Sequence, residues 1–322
     1  MKKKNSVRKL RRGVRLVKAT KPLILTLALV LMPAFLHAQK VSLPPVNLGG
    51  TSFLDGVAGP GLMLQERIQY YHANKFMDSN GNQLPGNNSV NSWLFMSQAA
   101  YMTKLKILGG YYGFEALLPT VNLDVDTALG TGRNKTGLGD LILSPFELQW
   151  VDQKVFGMSY FHRLNLNFTV PTGQYNENST VNIGSNLYSF DPYYALTLFI
   201  TPKLETSWRF HYLWNSKNND PPTVFKANSI QPGQAFHLNY AVSYEILDGL
   251  RLGISGYILQ QTTSNKVDGE EIPNSKERVF AIGPGIMYSK NNFFLTLTAD
   301  FEIGVENRPE GQRITFCIKK VF

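Results

Sequence analysis

Cysteine is nearly missing from this chain: Cys317 is the only one in 322 residues. No intramolecular disulfide can form, and no cysteine-rich metal site can be built. Acids are missing from the start. Met1 to Lys21 hold ten Lys or Arg and no Asp or Glu. Long apolar runs are missing as well. The stretch from Leu23 to Met32 falls short of the roughly 20 residues that a membrane-crossing helix needs, and polar residues interrupt every later one. The basic head, the short apolar segment, Pro33 and a closing Ala38 are the parts of a secretory signal. We therefore expect a leader over residues 1–38 cut at Ala38/Gln39, although Leu36 is an imperfect residue before the cut. No Cys follows it, which excludes a lipid-modified N-terminus.

Removing the leader changes the charge argument. The whole chain has 32 basic and 23 acidic residues, a formal +9. The remainder has 22 against 23, close to neutral. The basic excess thus belongs to export and gives no reason to expect a nucleic-acid partner.

What is present is alternation of period two. In Met158-Ser-Tyr160-Phe-His162-Arg-Leu164-Asn-Leu166-Asn-Phe168-Thr-Val170, one parity is largely apolar, and Arg163, Asn165, Asn167 and Thr169 hold the other. Leu204 to Tyr212 and Phe236 to Ile246 repeat the pattern. Such alternation specifies strands with one greasy and one wet face. Twelve are expected, at about 60–76, 90–103, 106–119, 136–150, 156–170, 187–201, 203–214, 233–247, 249–261, 276–290, 292–304 and 312–322. Most are longer than the 5 or 6 residues usual in globular sheets, and Tyr, Phe and Trp crowd their ends. Short connections at 103–106, 151–155, 201–203, 247–249 and 289–292 alternate without exception with longer ones at 77–89, 120–135, 171–186, 215–232, 262–275 and 305–311. A soluble sandwich has no reason to alternate in this way. The expected fold is all-β: a closed antiparallel transmembrane β-barrel over 60–322, with residues 39–59 lying in the periplasm or the lumen. Both termini are expected on the periplasmic side, in the outer membrane of a Gram-negative bacterium.

Two hairpins can be registered. A turn Leu247-Asp248-Gly249 pairs Ile246 with Leu250, Glu245 with Arg251, Tyr244 with Leu252 and Val242 with Ile254. A four-residue turn Ser289–Asn292 pairs Tyr288 with Phe293. At the C-terminus, Ile314, Phe316 and Ile318 alternate towards Phe322. A terminal aromatic after such alternation is expected to address the chain to the barrel-insertion machinery. Lys320 departs from the apolar face, with a stem long enough to snorkel into headgroups. The other expected partners are outer-membrane lipid, lipopolysaccharide and a small-molecule solute.

Several segments resemble the outer-membrane family named for the meta pathway of phenol degradation. They are Gly109-Gly110-Tyr111-Tyr112-Gly113-Phe114, Thr136-Gly137-Leu138-Gly139-Asp140-Leu141 with Ser144-Pro145 and Trp150, and Pro171-Thr172-Gly173-Gln174-Tyr175. Pro232–Tyr240, Gln260-Gln261, Ile282-Gly283-Pro284 and Glu306–Gly311 continue the match in order. The resemblance implies a transporter-like barrel with an uptake role, and it carries over no functional residues.

On the expected register the lumen collects Arg67, Tyr111, Glu115, Arg163, Glu205, Arg209, His211, His237, Glu245, Arg251, Tyr257, Asp300, Glu302, Arg313 and Lys319. The signs nearly balance, so these side chains serve either as a polar conduit or as ion pairs filling the centre. Tyr111 and Tyr257 are expected to offer aromatic surface inside. Gly137-Leu138-Gly139-Asp140 lacks the spacing, Lys and helix of a phosphate loop and reads as a strand-entry turn. Asp124, Asp126 and Asp140 read as solvated loop acids. No cofactor and no metal are expected. A passive channel for small apolar or aromatic molecules is the leading function. A lipid-acting barrel enzyme is the second reading, weakened because Asn74, Leu164, Leu213 and Asn239, not serines, stand two positions after His72, His162, His211 and His237. A structural or surface-interaction barrel with a closed lumen is the third. A lateral exit through the wall has no marked break in the sequence to support it.

Overall fold

The computed structural model describes residues 41–127 and 130–322. The leader and its cut therefore lie outside the described residues. Twelve strands form the wall: β1 (Gly61–Phe76), β2 (Ser89–Ile107), β3 (Gly110–Thr127), β4 in two pieces (Gly130–Leu138 and Leu141–Val155), β5 in two (Met158–Asn165 and Phe168–Val170), β6 in two (Ser189–Phe190 and Tyr193–Phe199), β7 (Leu204–Asn215), β8 (Ala235–Leu247), β9 (Leu250–Gln261), β10 (Arg278–Lys290), β11 (Phe293–Glu306) and β12 (Pro309–Val321). Each pairs antiparallel with its neighbours, and β12 returns to β1 from Met63↔Val321 to Phe76↔Pro309. Closure leaves no edge, as a wall in hydrocarbon requires, because lipid offers backbone groups no partner.

Alternation sorts the two faces. On β8, Val242 and Tyr244 are exposed while Ala241 and Ser243 are buried; on β9, Leu252 and Ile254 are exposed against Arg251 and Ser255. The exposed side chains form an apolar exterior, with Trp93 and Trp214 towards one end and Tyr101, Tyr288 and Phe293 towards the other.

Several expectations on the connections need correction. The turns expected at 103–106 and 151–155 lie instead at Leu108-Gly109 and Phe156-Gly157, where both residues of each pair have positive φ. Large apolar residues at these tips hid the turns. Asn291 and Asn292 also both have positive φ, the signature of a two-residue type I′ turn. Tyr288 therefore meets Leu295, and Lys290 meets Phe293. In the β8–β9 hairpin, Gly249 has φ of 73° and three expected pairs are present. Leu250, however, pairs with Leu247, because the ladder shifts between Glu245 and Leu247.

The alternation of long and short connections is incomplete. β11 and β12 are joined by Asn307-Arg308 alone, and β3 with β4 forms an extended hairpin in place of the loop expected at 120–135. There, Asn122 and Asp124 alternate with Val121, Leu123 and Val125 and pair across to β4 or back to β2. Their loop-like composition concealed a strand.

Three adjacent strands are interrupted at Gly139-Asp140, Leu166-Asn167 and Asp191-Pro192. Pro192 has no N–H to give a ladder. The Asp140 carboxylate accepts the backbone N–H groups of Gly173 (2.9 Å) and Ser185 (2.8 Å), drawing a long loop onto β4. Single backbone bonds still stitch the interruptions, such as Leu166 N to Phe146 O at 3.0 Å and Asp191 N to Asn167 O at 2.9 Å. The ladder is thus thinned across three adjacent strands, a feature that nothing in the sequence marked.

Candidate functional site

Residues 41–59 run inside the barrel. Val41 packs with Ile230 and Ile272 under the long loops, and its carbonyl accepts from Asn265 Nδ2 at 2.7 Å. The segment then descends past Leu48 and Phe53 to Gly61, which lies beside Val321 and Phe322 at the short-turn end. The described chain therefore begins at the long-loop end. The N-terminus itself, expected on the periplasmic side, lies outside the described residues.

Polar residues of the wall seat this segment. Asn239 Oδ1 accepts from Gly49 N (2.8 Å), and Asn239 Nδ2 donates to Asn47 O (2.9 Å). Thr197 Oγ1 accepts from Gly56 N at 2.8 Å, and Gln149 Nε2 donates to Gly56 O at 3.0 Å. Arg313 donates to Leu48 O. Asp55 is the strongest link: both its oxygens accept from Arg209, at 2.8 and 2.5 Å, and Arg163 lies 3.7 Å away. Bidentate guanidinium–carboxylate bonds are among the strongest side-chain contacts. Leu48 packs against Tyr257, Leu259, Val279 and Val305, and Phe53 against Ala241 and Met287. Fully burying one such side chain is worth about 1.5–3 kcal/mol. At Gly50 a Cβ would overlap the Arg67 guanidinium and the Asn47 amide, so a larger residue there would have to displace both.

Among the candidate lumen residues, Arg67, Glu115, Arg163, Glu205, Arg209, His211, His237, Arg251, Tyr257, Asp300, Glu302 and Arg313 are buried; Tyr111, Glu245 and Lys319 are partly so. They form several clusters. Arg251 pairs with Glu245 at 3.0 Å, as expected. Glu205 accepts from Ser207 and Ser243. Ser255 donates to Asp300 at 3.4 Å. Tyr257 donates to Glu302 at 2.8 Å and is covered by Leu48, so it offers no free ring surface. Tyr111 lies under Lys106, 4.7 Å from the ring centre. The aromatic lining expected from these two tyrosines is absent from the cavity described next.

The opposite side of the lumen is largely apolar, interrupted by Gln98 and Glu115. Leu94, Met96, Ala100 and Met102 of β2 and Leu117, Pro119 and Val121 of β3 point inward with Met63 and Ile142, facing Pro44, Pro45, Val46, Leu48 and Val57. Between them lies a cavity of about 240 Å³. Its lining runs from Gly61, Met63 and Val321 at one end to Gly139, Asp140 and Ser185 at the other. It touches the interrupted wall at Asn167 and Asp191. A signal for this apolar wall stood in the sequence: Leu94-Phe95-Met96 and Leu117-Leu118-Pro119 are apolar at both parities.

The sequence reading also missed Asp191, whose carboxylate accepts from His211 Nδ1 and His237 Nε2, both at 3.1 Å. The two rings stack with centres 4.2 Å apart. These three groups lie close enough to hold a metal ion, although every short contact seen is an ordinary hydrogen bond. Among the described residues no serine hydrogen-bonds a lumen histidine. The assembly residues Ile314, Phe316, Ile318 and Phe322 share one parity of β12 and its end; Ile314 and Phe322 are exposed. Lys320 Nζ donates to Asn291 O at 2.9 Å.

Residues 73–317 match the family described as "Putative MetA-pathway of phenol degradation". Among solved structures, the barrel is similar to the COG4313 outer membrane channel from Pseudomonas putida F1. That likeness has a TM-score of 0.73 at 18% identity, over 83% of this chain and 97% of that one. The TodX deltaS2S3 mutant monoaromatic hydrocarbon channel aligns at a TM-score of 0.44 and 9% identity, over 83% and 92% of the two chains. No curated protein matches the chain in sequence.

Proposed function

Because the chain belongs to this phenol-degradation family, and its outer-membrane barrel encloses a cavity with one apolar wall, we propose that it is a channel for small, largely apolar molecules. The apolar inner face of β2 and β3 carries this reading. A conduit for ions or sugars has no use for Leu94, Met96, Met102, Leu117 and Val121 turned inward, where water would wet them at a cost. Selective ion pores instead use rings of one sign, whereas here Asp55 and Glu147 answer Arg209 and Arg163. The packing of residues 41–59 against the polar side narrows the lumen and leaves the apolar side as the path. The path also reaches the interrupted strands at Gly139, Asn167 and Asp191, which gives an apolar solute a route towards lipid as well as along the axis. The lumen histidines answer to Asp191 and not to a serine, which favours a channel over a lipid-acting enzyme. A closed structural barrel would fill both sides of its lumen, and this one does not.

The test is uptake at limiting supply in cells with and without the protein, comparing toluene- and phenol-sized compounds with sugars and salts. The expected outcome is faster uptake of the apolar compounds alone. A difference confined to sugars or ions would leave a general porin in its place.

A further inference from the structure

The cavity holds two cations that no carboxylate answers, Arg67 and Lys319, of which Arg67 touches residues 41–59 only through Asn47 and Gly50. The carboxylates of the cavity are all engaged. Asp55 binds Arg209 and Arg163, and Glu147 binds Arg163 Nε at 3.3 Å. Glu115 accepts from Gln98 (2.5 Å) and Asn165 (3.0 Å). Asp140 accepts two backbone N–H groups, and Asp191 accepts from two histidines. Arg67 and Lys319 also line the cavity, yet neither forms an ion pair among the described residues. Arg67 is only 5% exposed; its guanidinium has one side-chain partner, Asn47 Oδ1 at 3.3 Å, and its Nε has none. An arginine carries five N–H donors, so most of this one's capacity is unmet. The Lys319 ammonium rests 4.4 Å from the centre of the Phe294 ring.

Register brings the two together. Arg67 faces Cys317 and Gln65 faces Lys319, so Arg67 and Lys319 are diagonal neighbours on the inner wall, about 7–8 Å apart at the backbone. Met63, on the same face of β1, begins the apolar surface that continues through Met96, Met102 and Leu117. A guanidinium left buried without an anion is costly. A planar carboxylate offers it two parallel hydrogen bonds and offers the ammonium a counter-charge.

We propose that Arg67 and Lys319 form a head-group site, and that the solute is a small apolar molecule bearing one carboxylate. Its body lies on the methionine- and leucine-lined wall, and its carboxylate sits between the two cations. The assignment rests on the channel reading and narrows its substrate class. The cavity, at about 240 Å³, falls below the 300–1,000 Å³ of sites for drug-sized ligands, so one ring or a short chain fits. A neutral amide of the same shape would fill the apolar part but offer one acceptor oxygen and no counter-charge.

The experiment is calorimetric titration of the purified full-length protein in lipid nanodiscs. It compares 4-methylbenzoate with its neutral isostere 4-methylbenzamide, and the parent with Lys319→Met and Arg67→Met. Hydrogen bonds to charged groups predict a preference for the acid of about tenfold or more in the parent. That preference should fall towards parity in both variants while amide binding persists. Lys319→Met keeps the test valid should Arg67→Met disturb the seat beside Gly50. Equal binding of acid and amide by the parent, or a preference that survives both substitutions, overturns the head-group site and leaves the channel reading standing. Failure of both compounds to bind the parent overturns both.

Discussion

Asp55 is the residue on which the seating of the inner segment turns. It stands 154 positions from Arg209 in sequence, inside a Gly- and Pro-containing stretch without periodicity, so nothing local marks its partner. Removing one member of a buried ion pair leaves the other uncompensated, at about 3–5 kcal/mol. Asp55→Ala should therefore loosen residues 41–59 and raise ion conductance in planar bilayers, with the heat resistance of the barrel little changed. Unaltered conductance would show that the segment is held without it. At the loop end, Asp78 accepts the backbone N–H of Asn82 (2.9 Å) and Asn80 (2.8 Å). These bonds hold its carboxyl below the ordinary carboxylate range. With the folded value depressed, the stabilisation is present above that ordinary range and is lost as pH falls through the lowered value. Amide exchange at Asn80 and Asn82 should quicken on such acidification, and in Asp78→Ala it should be fast already at neutral pH. Equal protection in the variant and the parent would refute the bond's role.

At the scale of elements, the inner segment is the largest part that alternation could not describe. Residues 41–59 bind through backbone groups and isolated side chains, a mode with no period. Deleting residues 41–58 should let ions and sugar-sized solutes cross liposomes faster, because the wall closes through β1 and β12 without them. Swelling rates equal to the parent's would mean that the segment does not narrow the path. The strands themselves were legible because a lipid-facing wall enforces period two, and the β8–β9 register was readable from Glu245 and Arg251. Turns were less so. Leu108 and Phe156 sit at tight tips where composition suggests strand, and Asn122 and Asp124 sit in a strand where composition suggests loop. The thinning across β4, β5 and β6 depends on Asp140 reaching a loop that begins some thirty residues later, a contact no local pattern records.

For the whole molecule, closure into a twelve-strand barrel followed from the long alternating strands and their connections, whereas the asymmetry of the lumen did not. The polar residues of the candidate set sit largely where the inner segment binds, and the apolar path lies across from them on β2 and β3. Assembly is also a property of the whole. Phe322 is 65% exposed and its N–H donates to Leu62 O at 2.8 Å, so its ring contributes less than the 1.5–3 kcal/mol of a fully buried side chain. Phe322→Ala should reduce the amount of barrel inserted while the inserted fraction keeps its heat resistance; equal insertion would contradict a role in recognition. The central claim, passage along the apolar side, is tested most directly by filling that side. Ala100 faces the cavity, and Ala100→Trp places a large ring in it. Uptake of toluene-sized compounds by cells carrying an equal amount of inserted Ala100→Trp protein is expected to fall to the level of cells without the protein. Uptake that matches the parent's with the cavity filled would contradict the account.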